Sequence, residues 1–331
     1  MPLSPGARRN SPGRRARGPG TRSGPTIPPH RHPLPPHEHP QGPPAGVPGP
    51  IITLTTDIGW AYASQMKGVI LSQAPGARIV DITHEVPPHG ILEGAFLVRY
   101  CGARFPRGTI HVVIVDPGVG SPRQPLGVRC RDGSLLVGPD NGVLSPFARH
   151  LGDPQPYRLD PHRVAPGAEV SATFEGRDLF APAAGRLARS VPLAELGDPT
   201  SMADFTLPRS RLPPEGGDVQ VLHVDHFGNA ITDLPTPDFH AAMGGPGGRV
   251  SLHVEGRHAI ARIVRTYSEL RPGELGAVGS SFGFLEFAVS HGKADRVLGV
   301  RAGMRVLVLP NPPRGSEGAP PPPAASSRKP L

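Results

Sequence analysis

The run Thr109-Ile110-His111-Val112-Val113-Ile114-Val115-Asp116-Pro117-Gly118-Val119-Gly120-Ser121-Pro122-Arg123 decides the fold. Five of the six residues from Ile110 to Val115 are apolar, and strands buried on both faces in this way belong to parallel sheets covered by helices. The strand gives way at once to a carboxylate, a glycine turn and a cation. Ligands of open α/β sheets bind beyond the carboxyl ends of the strands, so Asp116 stands where a substrate would.

Strand and helix patterns alternate around this run: strand Ile51–Thr56, helix Tyr62–Ser72, strand Arg78–Thr83, helix Ile91–Arg104, strand Thr109–Asp116, strand Leu135–Val137 and helix Gly142–His150. Weaker signals follow at Tyr157–Leu159 and in the helix-forming run Asp178–Arg189. This βαβ series predicts an α/β domain over residues 51–206. Pro208, Pro213, Pro214, Gly216 and Gly217 crowd turn signals together and place a linker at 207–217. Beyond it the expected strands are short and closely spaced: Val219–Val224, Ala230–Leu234, Val250–Val254, His258–Ile263, Leu275–Val278, Leu285–Val289 and Met304–Leu309. They predict a small antiparallel barrel or sandwich over 218–310.

The ends of the 331-residue chain are built differently. Residues 1–50 hold 15 of the 46 prolines, seven arginines against the single acid Glu38, and no Phe, Tyr or Trp. Residues 311–331 carry seven more prolines and a net charge of +2. Neither segment has the means to build a core, and both are expected to stay disordered. The formal charge of +8 therefore resides in the tails and leaves the folded part neutral, which removes the electrostatic case for a nucleic-acid binder. His30, His32, His37 and His39 belong to the same solvated tail. The N-terminus has the Arg-rich, acid-poor composition of a transit peptide, but its prolines oppose the amphipathic helix such peptides need, and an over-long start is the plainer expectation. No run of about 18 apolar residues predicts a membrane span. Cys101 and Cys130 are too few for a disulfide framework, which fits a reducing compartment and a cytoplasmic protein.

Four aspartates stand at or near predicted strand ends: Asp57, Asp81, Asp116 and Asp140. Strand-end aspartates commonly cap the next turn, but four at one sheet edge suggest a polar site. Asp57, with Gly59 allowing close approach, is the best placed to accept two hydrogen bonds from a ribose. Asp116 and Arg123 flank a turn in which Gly118 and Gly120 permit unusual backbone angles; the pair either orients a water or is an ordinary ion pair. A metal shared by Asp81, His84, His111 and Asp116 is the rival chemistry, opposed by the strand alternation that turns His111 away from Asp116. Glu175, just before the helix signal, reads as a solvated loop acid or a buried base, while capping accounts for Asp178. In the second part, Asp225-His226-Phe227-Gly228-Asn229 is either a tight hairpin or an aromatic and an amide that stack on and hydrogen-bond a purine. The run from Gly279 to Glu286 mixes aromatic and polar residues again, and Tyr267 either joins these loops or is core.

Taken in order, Leu54-Thr55-Thr56-Asp57, Met66-Lys67-Gly68, Asp81-Ile82-Thr83-His84, the run from Gly108 to Gly120, Pro139-Asp140-Asn141-Gly142, Thr173 to Pro182, Asp225 to Asn229 and Ser281 to Ala288 closely resemble the S-adenosylmethionine hydrolases, or hydroxide adenosyltransferases, relatives of the fluorinase and chlorinase. The resemblance covers about residues 51–309 and neither tail. It implies a Rossmann-like N-terminal domain with a mostly parallel sheet, a small C-terminal β-barrel, and a homotrimer with active sites between subunits. It also implies cleavage of S-adenosyl-L-methionine by water at the ribose C5′, giving adenosine and methionine without metal or cofactor. On the resemblance, Asp116 and Arg123 match two members of a water-activating Asp-Arg-His set, Asp57 the ribose-binding acid, and Asp225, Phe227, Asn229 and Ser281 the pocket for the rest of the substrate. His89, Thr173 and Phe174 lie in matching runs and complete the candidate substrate contacts.

The chain departs from the family pattern twice. Where the familiar hydrolases carry Phe-His-Gly-Arg-Asp, it has Phe174-Glu175-Gly176-Arg177-Asp178, so the third catalytic candidate is a carboxylate. Ile58–Tyr62 is two residues shorter than usual and lacks an acid, which leaves the methionine amino group without its usual partner. Asp116 repels anions and argues against a halide site. A metal-dependent phosphohydrolase and a non-catalytic S-adenosylmethionine or nucleoside binder are the alternatives.

Overall fold

The computed structural model describes residues 49–311. Both proline-rich tails, apart from residues at their inner edges, lie outside the described residues. The first half contains β1 (Ile51–Thr56), α1 (Gly59–Gln73), β2 (Arg78–Thr83), α2 (Ile91–Gly102), β3 (Ile110–Ile114), β4 (Pro125–Arg129), β5 (Leu135–Pro139), α3 (Ser145–Leu151), β6 (Gln155–Leu159), α4 (Pro161–Val164), α5 (Ala181–Ala188), α6 (Leu193–Leu196) and β7 (Gly197–Pro199). Its seven strands form one sheet in the order β2-β1-β3-β5-β4-β6-β7. The first four run parallel and the remaining three are added antiparallel.

Both faces of this sheet are covered. On one, Met66 and Ile70 of α1 and Phe180, Ala183 and Leu187 pack on Ile52, Leu54, Ile110 and Val112. On the other, Phe96 and Val98 of α2 and Phe147 of α3 pack on Val113, Val115, Leu126 and Leu136. Full burial of each such side chain contributes about 1.5–3 kcal/mol. Gly94 lets α2 settle on the end of β3, since a Cβ there would come within 2.8 Å of Val115 Cγ2.

The second half contains β8 (Gly217–Val224), β9 (Ala230–Pro235), α7 (Thr236–Met243), β10 (Arg249–Val254), β11 (Arg257–Ile263), β12 (Leu275–Gly279), β13 (Phe284–Val289), α8 (Ala294–Leu298) and β14 (Arg305–Pro310). The seven strands close into a barrel ordered β10-β11-β12-β13-β9-β8-β14, and closure leaves no free sheet edge. The barrel is antiparallel except between β11 and β12. Leu222, Ile231 and Phe284 reach out of it into the core around Phe96, where Phe96 meets Phe282 edge-on at 5.2 Å. Glu93, 3 % exposed, pairs with His223 across the same junction.

Several elements differ from the sequence reading for local reasons. The helix expected from Gly142 starts only at Ser145, with Gly142 at φ +94 and a proline in the first turn. The run Asp178–Arg189 divides into a π-helical turn, Gly176–Phe180, and α5. The long strand ending at Asp116 stops at Ile114. β4 went unread because its five residues, Pro125-Leu-Gly-Val-Arg, have neither alternation nor an apolar run. Among the described residues no helix is long and apolar enough to cross a membrane.

Candidate active site

The sheet itself selects the place. From β1 the chain crosses by α1 to β2 on one side, and from β2 by α2 to β3 on the other. The two crossovers lie on opposite faces, and such a reversal opens a crevice at the carboxyl ends of the strands involved. Asp57 follows β1, and its N–H donates to Ile114 O over 3.1 Å, tying it to the end of β3. Asp116 lies two residues beyond the same strand. Burial raises the Asp57 carboxyl above its ordinary value of 3.8; the His89 N–H, donating to Oδ2 over 3.0 Å, opposes the rise and the nearby Asp116 charge adds to it. His89 makes this contact with a positive φ of 67, a backbone state unusual for a residue with a side chain and common at functional sites.

Asp116 meets its cation because β4 runs antiparallel. β3 ends, and β4 therefore begins, at the same sheet edge, so the connecting loop brings Arg123 back to Asp116. Arg123 Nε donates to Asp116 Oδ1 over 3.0 Å, and a terminal guanidinium nitrogen reaches Asp116 Oδ2 and Glu175 Oε2. The three side chains are 6, 9 and 17 % exposed for Asp116, Arg123 and Glu175. Gly120, at φ +77, allows the loop to approach the Glu175 segment: a Cβ there would lie 2.8 Å from Ala172 O. Glu175 immediately precedes the π-helical turn, an irregularity frequently found at functional sites. Burial lowers the Arg123 pKa, but the hydrogen bonds it donates to Asp116 and Glu175 outweigh this and the net shift is upward. The group is one fixed cation between two carboxylates.

The other strand-end acids have structural occupations. Asp81 pairs with Lys67 at 2.5 Å and with His84 at 3.0 Å. Asp140 Oδ1 accepts from Ala203 N over 2.7 Å. His111 points into the sheet, where Thr53 Oγ1 lies 2.8 Å from its Nδ1 and burial lowers its pKa to about 4. Asp178 accepts from Ser171 N and pairs with Arg177, which lowers its pKa. Among the described residues no group of three or more His, Cys, Asp or Glu side chains is arranged to hold a metal ion. Phe174 packs edge-on against Tyr62 at 5.4 Å, beneath the Arg177 guanidinium. Thr173 is exposed and shares a hydrogen bond with Ser171.

On the barrel, Asp225, Phe227, Asn229 and Tyr267 line a cleft of about 1040 Å³ together with His291 and Lys293. Asp225 accepts from Asn229 N at 2.8 Å and Asn229 Nδ2 at 3.1 Å. The Asn229 backbone oxygen accepts from Asp225 N over 3.0 Å, while its side-chain Oδ1 takes no hydrogen bond among the described residues. Phe227 and Tyr267 are 71 and 50 % exposed, an unusual state for two rings beside one cleft. Ser281 sits in the exposed turn between β12 and β13, outside the residues that line this cleft. The sequence reading missed Glu286, buried behind the cleft and accepting from Tyr267 OH over 2.6 Å; burial raises its pKa. The available signal was a lone acid inside the apolar strand Phe284–Val289.

Within one chain no hydrogen bond or ion pair joins the Asp116 group to the Asp225 cleft among the described residues. The sequence matches the model of the SAM hydroxide adenosyltransferase N-terminal domain over residues 52–197 and that of the C-terminal domain over 219–307. The chain belongs to the SAM hydroxide adenosyltransferase family. Relatives in this family include the (R)-S-adenosyl-L-methionine hydrolase of Salinispora tropica, 39 % identical over 79 % of this chain and 98 % of that protein. The corresponding hydrolase of Thermus thermophilus is 37 % identical over 75 % of this chain and 94 % of its own. A fluorinase from an Actinoplanes species is more distant, at 26 % identity over 78 % and 97 %. The crystal structure of an uncharacterized conserved protein from Thermotoga maritima superposes with a TM-score of 0.72 at 31 % identity, over 78 % of this chain and 99 % of the other. The resemblance read from the motifs is thus family membership.

Proposed function

We propose that the protein hydrolyses S-adenosyl-L-methionine at the ribose C5′, releasing adenosine and L-methionine. The observation that carries this reading is the buried Asp116–Arg123–Glu175 group beside Asp57 at the sheet reversal, in a chain whose hydrolase relatives match it along almost their whole length.

The chemistry suits the residues. The sulfonium leaves as a neutral thioether, so the reaction needs no general acid, only a water in line with the C5′–S bond. A water oxygen attacks C5′, the C–S electron pair goes to sulfur, and the water gives up one proton. Asp116, held by Arg123 in two-point contact, orients that water, and Glu175 provides a second carboxylate to receive the proton. Asp57 accepts the ribose hydroxyls, with His89, Thr173 and Phe174 around it. Phe227 and Tyr267 stack on the adenine, while the open side-chain Oδ1 of Asn229 suits its amino group. Asp225 and Ser281 are assigned to the remaining substrate contacts.

The same reading takes the 51–206 domain as a Rossmann-like nucleotide-binding unit, joined through 207–217 to the barrel domain of 218–310. It also makes the enzyme a homotrimer in which the Asp116 group of one subunit faces the Asp225 cleft of the next. Free Cys101 and Cys130 suit a cytoplasmic setting. Adenosine production from S-adenosylmethionine by the purified protein, compared with an Asp116→Ala control, tests the function. Equal adenosine from both would overturn it, and binding without turnover would favour the non-catalytic binder.

A further inference from the structure

The motif Asp81-Ile82-Thr83-His84 is the part of the sequence that the hydrolytic reading leaves without a task. In the fold it builds a buried relay. Thr56 Oγ1 lies 3.0 Å from His84 Nδ1, and His84 Nε2 lies 3.0 Å from Asp81 Oδ1. Thr56 and His84 are 0 and 1 % exposed, and His84 Nε2 and Asp81 Oδ1, near enough to pair as charges but not aligned for a hydrogen bond, are buried without a hydrogen-bond partner among the described residues. The Asp81 carboxylate beside Nε2 favours a proton on that nitrogen, which leaves Nδ1 to accept from the Thr56 hydroxyl. Burial also lowers the His84 pKa, against the raising effect of Asp81, a shift that favours the neutral ring. The charged groups facing the ring are Asp81, Lys67 and Glu85.

The relay lies between two backbone ties that join the same segments: Gly59 N donates to His84 O over 3.2 Å and Val86 N to Thr56 O over 3.3 Å. Together the three contacts fix the loop 84–90 against the end of β1. The far side of that loop delivers the His89 N–H to Asp57 Oδ2, and Asp57 is the residue directly after Thr56. Trp60 closes the relay from solvent, meeting His84 edge-on at 4.7 Å while its Nε1 donates to Glu85 Oε1 over 3.3 Å.

We infer that Thr56, His84 and Asp81 are positioning residues that aim the Asp57 carboxylate at the ribose hydroxyls by holding the His89 N–H on it. This rests on the reading of Asp57 as the ribose-binding acid. The relay touches no substrate, and its effect is selective: it governs recognition of the sugar hydroxyls rather than bond cleavage.

The test compares adenosine with 2′-deoxyadenosine by calorimetric titration of the full-length protein, for wild type, Thr56→Val, Thr56→Ser, Asp81→Asn and Asp57→Asn. Wild type is expected to favour adenosine by at least about tenfold, the worth of one good hydrogen bond to a charged group. Thr56→Val is expected to lose most of this preference by weakening adenosine alone, and Thr56→Ser to restore it. Loss of the His89 contact also raises the Asp57 pKa, so the acid limb of adenosine binding moves to higher pH in Thr56→Val. An unchanged preference in Thr56→Val, or equal weakening of both nucleosides, overturns the inference. Should Thr56→Val fail to fold, Asp81→Asn, altered at the partly exposed end of the relay, decides by the same ratio. A wild type without preference, or a preference that survives Asp57→Asn, instead overturns the reading of Asp57 and the inference with it.

Discussion

Arg123 grips Asp116 through Nε at 3.0 Å and a terminal nitrogen, and shares that terminal nitrogen with Glu175. Two carboxylates therefore converge on one cation, with all three side chains largely out of water. Replacing Asp116 leaves Arg123 paired only with Glu175 and removes the group that orients the water. Asp116→Ala is expected to lower kcat about 10²–10⁴-fold, the usual range for a positioned proton-handling group, while the thermal midpoint changes little. Adenosine release measured chromatographically checks this; a loss below threefold would remove Asp116 from the mechanism.

Glu175→His restores the residue that the familiar hydrolases carry. The rate at neutral pH is expected to change by less than about tenfold, since either side chain can receive the proton. Its pH dependence should differ: an imidazole titrates at about 6.5 and is useless as a base once protonated, so the variant acquires an acid limb there. A kcat profile from pH 5 to 8 that matches wild type would show that the side chain at this position takes no part in proton transfer.

Trimer assembly predicts complementation. Asp116→Ala and Asp225→Ala subunits, each inactive alone, should regain activity when co-expressed, because some interfaces pair an intact first domain with an intact barrel. Random mixing restores about a quarter of the sites. Mixed assemblies as inactive as the separate variants, at a mass confirming three subunits, would place each site within one chain.

Stability should fall below pH 6.5 through His111. Its pKa drops from 6.5 to about 4 on burial, so between those values the unfolded chain binds a proton that the folded chain refuses, and unfolding is favoured as pH falls. From pH 7 to pH 5 the group costs about 2 kcal/mol of stability. Lowering of the His84 pKa acts in the same direction. Urea midpoints at the two pH values should differ accordingly, and in a folded His111→Gln variant the difference should shrink; an equal difference would assign the pH effect elsewhere.

Turnover is expected to persist in EDTA, as hydrolysis with a neutral leaving group requires no Lewis acid. A tenfold loss reversed by added divalent metal would bring back the metal-dependent phosphohydrolase.

Much of the site was legible because its residues lie at places that strand patterning marks. Asp57 and Asp116 follow apolar runs, and Phe227 stands in a turn. What patterning could not supply was the direction of β4, whose Pro125 and Gly127 interrupt any strand signal although its direction is what returns Arg123 to Asp116. Strand patterning alone does not separate Asp57 and Asp116 from Asp81 and Asp140; Gly59 and Arg123 single out the first two along the chain, whereas the partners that occupy Asp81 and Asp140 appear only in the fold. Glu286 went unnoticed for a related reason: a buried acid is intelligible only once Tyr267, nineteen residues away, is seen to donate to it.

The ten residues between Ile114 and Pro125 contain both Asp116 and Arg123, and both ends of that excursion are clamped in neighbouring parts of one sheet. Acid and cation thus form a single cassette in the chain. Two of the three members of the charged group can be altered within one short loop, with the strands that support it left untouched. Exchange of this loop with that of a fluorinase relative is the natural engineering experiment.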